Sequence, residues 1–235
     1  MLAAILRDAG RQYRHRPLAA VLTIALEAAA LPLARTTGAL QGVAGIALLV
    51  VSIMAELFLV AYLATGLSPT PAPAAAAVAS ARRALGPGVR GMLLLYLYVA
   101  VAFLIATVMF RHDQATALTG SQQRAFLIGA APLVAVAFAF LAVLSQRVVL
   151  DGERRALRAA AVSHRVATAH FPICLVIGIL QAVGLTLGAF DPVGALALVV
   201  AVALGLLDPL PVAMSNALFL RTRTLHATAR ERPPV

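Results

Sequence analysis

The stretch ALQGVAGIALLVVSIMAELFLVAYLAT, Ala39 to Thr65, contains a single charged residue, Glu56. An α-helix rises 1.5 Å per residue, so about 20 apolar residues cross the roughly 30 Å hydrocarbon layer of a bilayer. This run exceeds that length. Five further runs of the same character flank it, at 18–34, 91–110, 125–146, 171–190 and 193–220. The pattern predicts an all-α polytopic membrane protein with six transmembrane helices. Composition agrees: hydrophobic residues make up 62% and charged residues 12% of the 235, against about 45–50% and 25% in soluble proteins. A water-soluble domain of this size could not hide that much apolar surface, so lipid is the main solvent.

All 19 basic residues are arginines, and the formal net charge is +10. So basic a chain raises the question of nucleic acid, but these arginines lie in short segments between apolar runs, which suits anionic lipid headgroups and not nucleic acid. Sixteen of them fall on one side of the predicted topology: the N-terminal segment, the loops after the second and fourth runs, and the C-terminal tail. Arg35, Arg111 and Arg124 fall on the other. The positive-inside rule then places both termini in the cytoplasm, in a bacterial plasma membrane. Pro32-Leu33-Ala34 is a poor signal-peptidase site, so the first run is read as a retained span. Arg35 to Gly38 and Asp191-Pro192 read as tight external turns of antiparallel hairpins. The polar segment Arg111 to Arg124 reads as a solvated external loop, and Ser68 to Ser80, rich in Pro and Ala, as a linker. Cys174 stands alone in an apolar run and reads as a buried thiol.

A short basic segment precedes each odd-numbered run: Leu6 to Arg16, Ala79 to Arg90, and Gly152 to Arg165. RRAL occurs in the second and the third, at Arg82 and Arg154. We read three tandem units, 1–66, 67–150 and 151–235, each an interfacial helix followed by a membrane hairpin. On a helical wheel Arg154, Arg158 and Arg165 share one side of the third segment, opposite Ala156, Ala159, Ala160 and Ala167. That arrangement suits a helix at the inner interface with its arginines toward phosphates and its small face against protein or lipid. Positive-inside anchoring accounts for it; specific headgroup binding by these three arginines is the sharper expectation.

The run FLAVLSQRVVLDGERRALRAAAVSHRVATAHF, Phe140 to Phe171, and the closing PLPVAMSNALFLRTR, Pro209 to Arg223, resemble a group of six-span bacterial proteins. These are similar to the membrane domain attached to some glycerophosphoryl diester phosphodiesterases. The resemblance rests on Leu150-Asp151-Gly152, the basic Arg154-Arg155-Ala156-Leu157-Arg158, and Leu218-Phe219-Leu220-Arg221. Ala159-Ala160 departs from the group's Ser-containing stretch, and Phe219 stands where Tyr is commoner. It implies a six-helix membrane domain. It does not carry over phosphodiesterase activity, which in the fused proteins belongs to a separate soluble barrel.

Three carboxylates interrupt the runs: Glu27, Glu56 and Asp208. Counted from the inner ends they lie roughly 14, 14 and 18 Å deep, near the midplane at about 15 Å. Placing a carboxylate there costs on the order of 2.5–3.5 kcal/mol, which makes an intramembrane acid a functional-site hypothesis by default. Asp208 precedes Pro209 and reads equally as the cap of a restarted helix. Glu27 and Glu56 read equally as neutral groups bonded to backbone. Gln181 and Asn216 read as interhelical hydrogen-bond partners, and the GxxxG pairs Gly38/Gly42 and Gly184/Gly188 as internal packing.

No zinc-binding HExxH, nucleophile elbow or phosphate loop occurs. His164 and His170 are badly spaced for a metal, so no cofactor and no enzymatic activity are expected. The sequence leads first to a non-enzymatic scaffold or accessory subunit of a membrane complex or envelope-lipid process. The alternative is a small transporter or permease subunit using the carboxylate layer.

Overall fold

The computed structural model describes residues 1–34, 39–68, 72–109, 120–188 and 195–230. Within these, the side chains at 27, 29–34, 39–46, 48, 49, 120–125, 195, 197, 198 and 224–230 lie outside the description. Among the described residues there are helices and no strand. They are α1 (Leu2–His15), α2 (Leu18–Ala34), α3 (Ala39–Ala64), α4 (Ala74–Met109), α5 (Gly120–Phe140), α6 (Leu144–Leu150), α7 (Ala156–Ala169), α8 (Phe171–Gly188), α9 (Ala195–Leu207) and α10 (Pro209–Arg230), with a 3-10 turn at Thr65–Leu67.

Four stretches are long and apolar enough to cross a membrane: 50–67, 74–109, 126–150 and 199–223. The pair α7–α8, bent by 114°, makes a fifth if it counts as one span. The protein is thus a multi-pass helical membrane protein by length and composition.

The helices close on one another through small residues. A β-carbon at Gly178 would overlap the Ala135 carbonyl oxygen, so α8 lies backbone-to-backbone on α5. At Gly205 it would lie 2.5 Å from the Ile24 backbone, which seats α9 on α2. Thr23 donates its hydroxyl to the Gly205 carbonyl at 2.5 Å across the same seam. Lipid tails are as apolar as the side chains, so close van der Waals contact and interhelical hydrogen bonds, not water exclusion, hold such seams. Gly184 faces Asp208, whose Oδ1 would lie 2.9 Å from an added β-carbon. Gly38, Arg35, Asp191-Pro192 and residues 111–119 of the expected external loop lie outside the described residues, while 120–124 of that segment belong to α5 and not to a loop.

The three basic segments do not fold alike. The first is α1, an amphipathic helix with Ile5, Ala9 and Gln12 buried. It is packed along α10 and tied there by Asp8, which accepts from Arg221 Nε at 2.8 Å. The third is α7, which meets α8 at 114° and buries Ala159, Ala160 and Ala167 against protein.

The second corrects the sequence reading. Ala79 to Arg90 is no separate interfacial helix; it continues without a break into the 36-residue α4, with Pro87 inside. Ala77, Ala81, Ala84 and Gly88 form a buried stripe, and Leu57 of α3 fills the space beside Gly88. That tertiary contact holds the helix together where Pro and Gly alone predict a stop.

Two helices are instead broken where the sequence suggests continuity or only a cap. The run 125–146 is interrupted at 141–143, between α5 and α6. Ser163 of α7 accepts the freed Val143 N–H at 3.2 Å. The run 193–220 breaks at Asp208, between α9 and α10, with Pro209 at the first helical position.

Candidate functional site

The break at Asp208 faces a cavity inside the bundle. It measures about 570 Å³ and is lined by polar Thr23, Ser52, Glu56, Tyr96, Gln181 and Asp208 between apolar walls such as Leu59, Leu95 and Phe138. Its residues come from α2, α3, α4, α5, α8, α9 and α10. Ser52 and Tyr96 are exposed, which puts the opening on the flank of the bundle.

Glu56 projects from the middle of α3 and accepts a hydrogen bond from Ser145 Oγ at 2.6 Å. Ser145 and Gln146 are in place because the break after Phe140 restarts the helix at Leu144. A second, small cavity of about 10 Å³ lies beside Glu56, Ser145, Gln146, Gln181 and Ser215. The oxygens Gln146 Oε1 and Gln181 Oε1 are buried there without a hydrogen-bond donor among the described residues. A buried acceptor left without a donor costs about 1–3 kcal/mol, so these two oxygens would gain from a donor brought to them. Among the described lining residues of the larger cavity, none is basic.

Of the three predicted carboxylates, the structure brings Glu56 and Asp208 to one cavity. The Glu27 side chain lies outside the described ones, although its backbone is in α2, and Thr23 and Leu26 from that helix line the same space. Gln181 does not make the expected interhelical bond with its carbonyl; its Oε1 is one of the unpartnered acceptors. Asn216 does: its Nδ2 donates to Gln12 Oε1 and to the Val60 carbonyl, both at 3.1 Å, joining α10, α1 and α3. Gln12 in turn donates to the Ala213 carbonyl at 2.7 Å.

α1 is pinned at its far end too. His15 Nδ1 lies 2.9 Å from the Gly66 carbonyl, and Arg16 donates to Thr65 Oγ1 at 2.6 Å and stacks over Tyr62. Tyr13 reaches the Leu206 carbonyl at 3.3 Å. Burial, then the nearby Asp208 carboxylate, push its phenol well above the usual tyrosine range, so it stays neutral. Sequence reasoning missed Gln12 and Tyr13. Ile5, Ala9 and Gln12, at helical spacing, mark a buried face on α1, but that Gln12 would meet Asn216 has no signal in either segment.

A second polar concavity lies where α6, α7 and α10 meet. It measures about 650 Å³ and is lined by Arg147, Asp151, Arg165, His170, Phe219 and Arg223, among others. Asp151 pairs with both Arg147 and Arg223, the latter at 3.0 Å. Of the predicted headgroup arginines only Arg165 borders it. Arg158 is exposed on α7 and Arg154 precedes the helix, and neither lines this concavity.

His164 is packed between helices. It hydrogen-bonds the Tyr98 hydroxyl at 3.0 Å and stacks on Phe140 at 5.1 Å between centroids. Cys174 is buried and free, as expected. Among the described residues no group of His, Cys, Asp or Glu is placed to hold a metal.

Comparison with known families, with characterised proteins and with solved structures returns no match for this chain.

Proposed function

We propose that this protein is a small transporter or permease subunit whose flank-opening cavity takes an amphipathic organic cation. The carrying observation is the meeting of Glu56 and Asp208 in one cavity, at the break between α9 and α10. Transporters place binding sites at discontinuous helices near the midplane, where interrupted backbone and buried charge can face a solute and not lipid. Two carboxylates and the Gln181 oxygen offer acceptors, the described lining residues supply no guanidinium, and the remaining walls are apolar. A positive charge on an apolar body complements such a space. The volume lies within the roughly 300–1,000 Å³ typical of small-molecule sites.

The topology that goes with this reading has six crossings: α2, α3, α4, α5–α6, α8 and α9–α10. Both termini lie on the cytoplasmic, arginine-rich side of a bacterial plasma membrane, among anionic lipids. Support comes from the arginine asymmetry and from the 114° angle that sets α7 across α8. The chain acts without enzymatic chemistry, as a single membrane domain. The three-unit organisation is supported by α1 and α7, each followed by two apolar segments. It is weakened by α4, where the basic segment and the span are one helix.

The test uses purified protein reconstituted in vesicles, with ethidium as the cationic probe. Protein-dependent ethidium flux is expected, falling about tenfold or more in Glu56→Gln with Asp208→Asn, the loss equivalent to some 1.4 kcal/mol of binding. Flux no greater than in protein-free vesicles, or unchanged in the double variant, would overturn it. Co-purification of a second membrane chain in fixed stoichiometry, with no ethidium flux, would install the accessory-subunit reading in its place.

A further inference from the structure

We infer that the concavity between α6, α7 and α10 is a phosphomonoester-binding pocket, built from Arg147, Arg165 and Arg223 around Asp151. Three guanidiniums border one space of about 650 Å³. The single Asp151 carboxylate lies between Arg147 and Arg223 and orients both, which leaves a local surplus of two positive charges. A phosphomonoester carries about −1.5 to −2 at neutral pH, and guanidinium forks match its oxygens in geometry as well as charge.

Arg165 and Arg223 are exposed at the rim, while Arg147 is partly buried and anchored by Asp151. Arg147 Nε is buried and has no hydrogen-bond acceptor among the described residues. The arginines come from three separate helices, α6, α7 and α10, and the pocket's remaining lining includes Val162, Val166, Ala169 and Phe219. A polar rim over an apolar floor suits a phosphate esterified to a greasy body, and equally admits a free phosphomonoester above it. This pocket shares no lining residue with the carboxylate cavity, so it stands or falls independently of the transport reading.

Ordinary positive-inside anchoring makes a different demand: any two arginines facing the headgroups should count alike. The experiment therefore compares Arg165→Gln with Arg223→Gln, inside the pocket, against Arg154→Gln with Arg158→Gln, which removes the same charge outside it. The full-length protein is placed in phosphatidylcholine nanodiscs with and without phosphatidic acid, and retained phosphatidic acid is read by native mass spectrometry. A parallel arm reads thermal stabilisation by inorganic phosphate in phosphatidylcholine alone, and unfolding curves of both double variants show that they fold.

The pocket variant is expected to lose about tenfold in phosphatidic acid retention and the outside variant less than about twofold. Retention of the lipid with no response to inorganic phosphate assigns a lipid phosphomonoester; a response to both assigns phosphomonoesters generally. Equal losses in the two variants, no loss in either, or no binding of either probe would overturn the proposal.

Discussion

At the scale of single residues, the most informative side chain is Gln12, fully buried although its helix is among the most basic of the chain. It links α1 to Ala213 and Asn216 of α10, and Asn216 extends the link to α3. Gln12→Leu keeps the approximate volume but strips one acceptor from Asn216 and one donor from Ala213. The expected loss is about 1–3 kcal/mol of stability, read as a lower unfolding midpoint in detergent. A loss indistinguishable from that of an exposed change such as Arg11→Gln would show that the link contributes nothing. Glu56 was legible as an outlier because a carboxylate inside a long apolar run stands out. Its partner Ser145 was not, since a serine in a span is unremarkable and only the restart at Leu144 brings it round to α3.

For the helices, the span readings and the structure agree closely where one apolar run makes one rod. The runs 18–34 and 39–65 are α2 and α3 almost to the residue. Agreement fails where tertiary contacts override local chemistry. Gly86-Pro87-Gly88 predicts a stop, yet α4 continues through it against Leu57. Conversely, nothing in Leu141-Ala142-Val143 predicts a break, yet the chain turns there, and Ser163 takes up the exposed N–H. The small face of α7 was legible because alanine periodicity is a local property. The α5–α8 seam depends on Gly178, which no motif announces. Gly178→Val is expected to separate these helices and cost about 1–3 kcal/mol or more, the range for overpacking a tight site. Unfolding in detergent checks this, and a midpoint equal to that of Gly10→Ala, where a β-carbon meets nothing, would contradict the seam.

For the whole molecule, the proposed six-crossing topology makes a sharp prediction. A reporter fused at Arg232 and one inserted at Ala72 should both read as cytoplasmic, and one inserted at Ala117 as external. An external reading at Arg232 would remove the even number of crossings. What the sequence carried at this scale was the multi-pass helical membrane character itself. It did not carry the meeting of Glu56 with Asp208, because helices α3 and α10 are separated by most of the chain and no local pattern encodes their adjacency.

The clasp of Asp8 on Arg221 spans 213 positions. A ribosome adding about 5–20 residues per second exposes the first helix roughly 10–40 s before its resting place exists. Throughout that interval its buried face, with Gln12 at the centre, must rest on the bilayer surface or on an insertase. Docking of α1 is therefore a late step in biogenesis, deferred until α10 has been made.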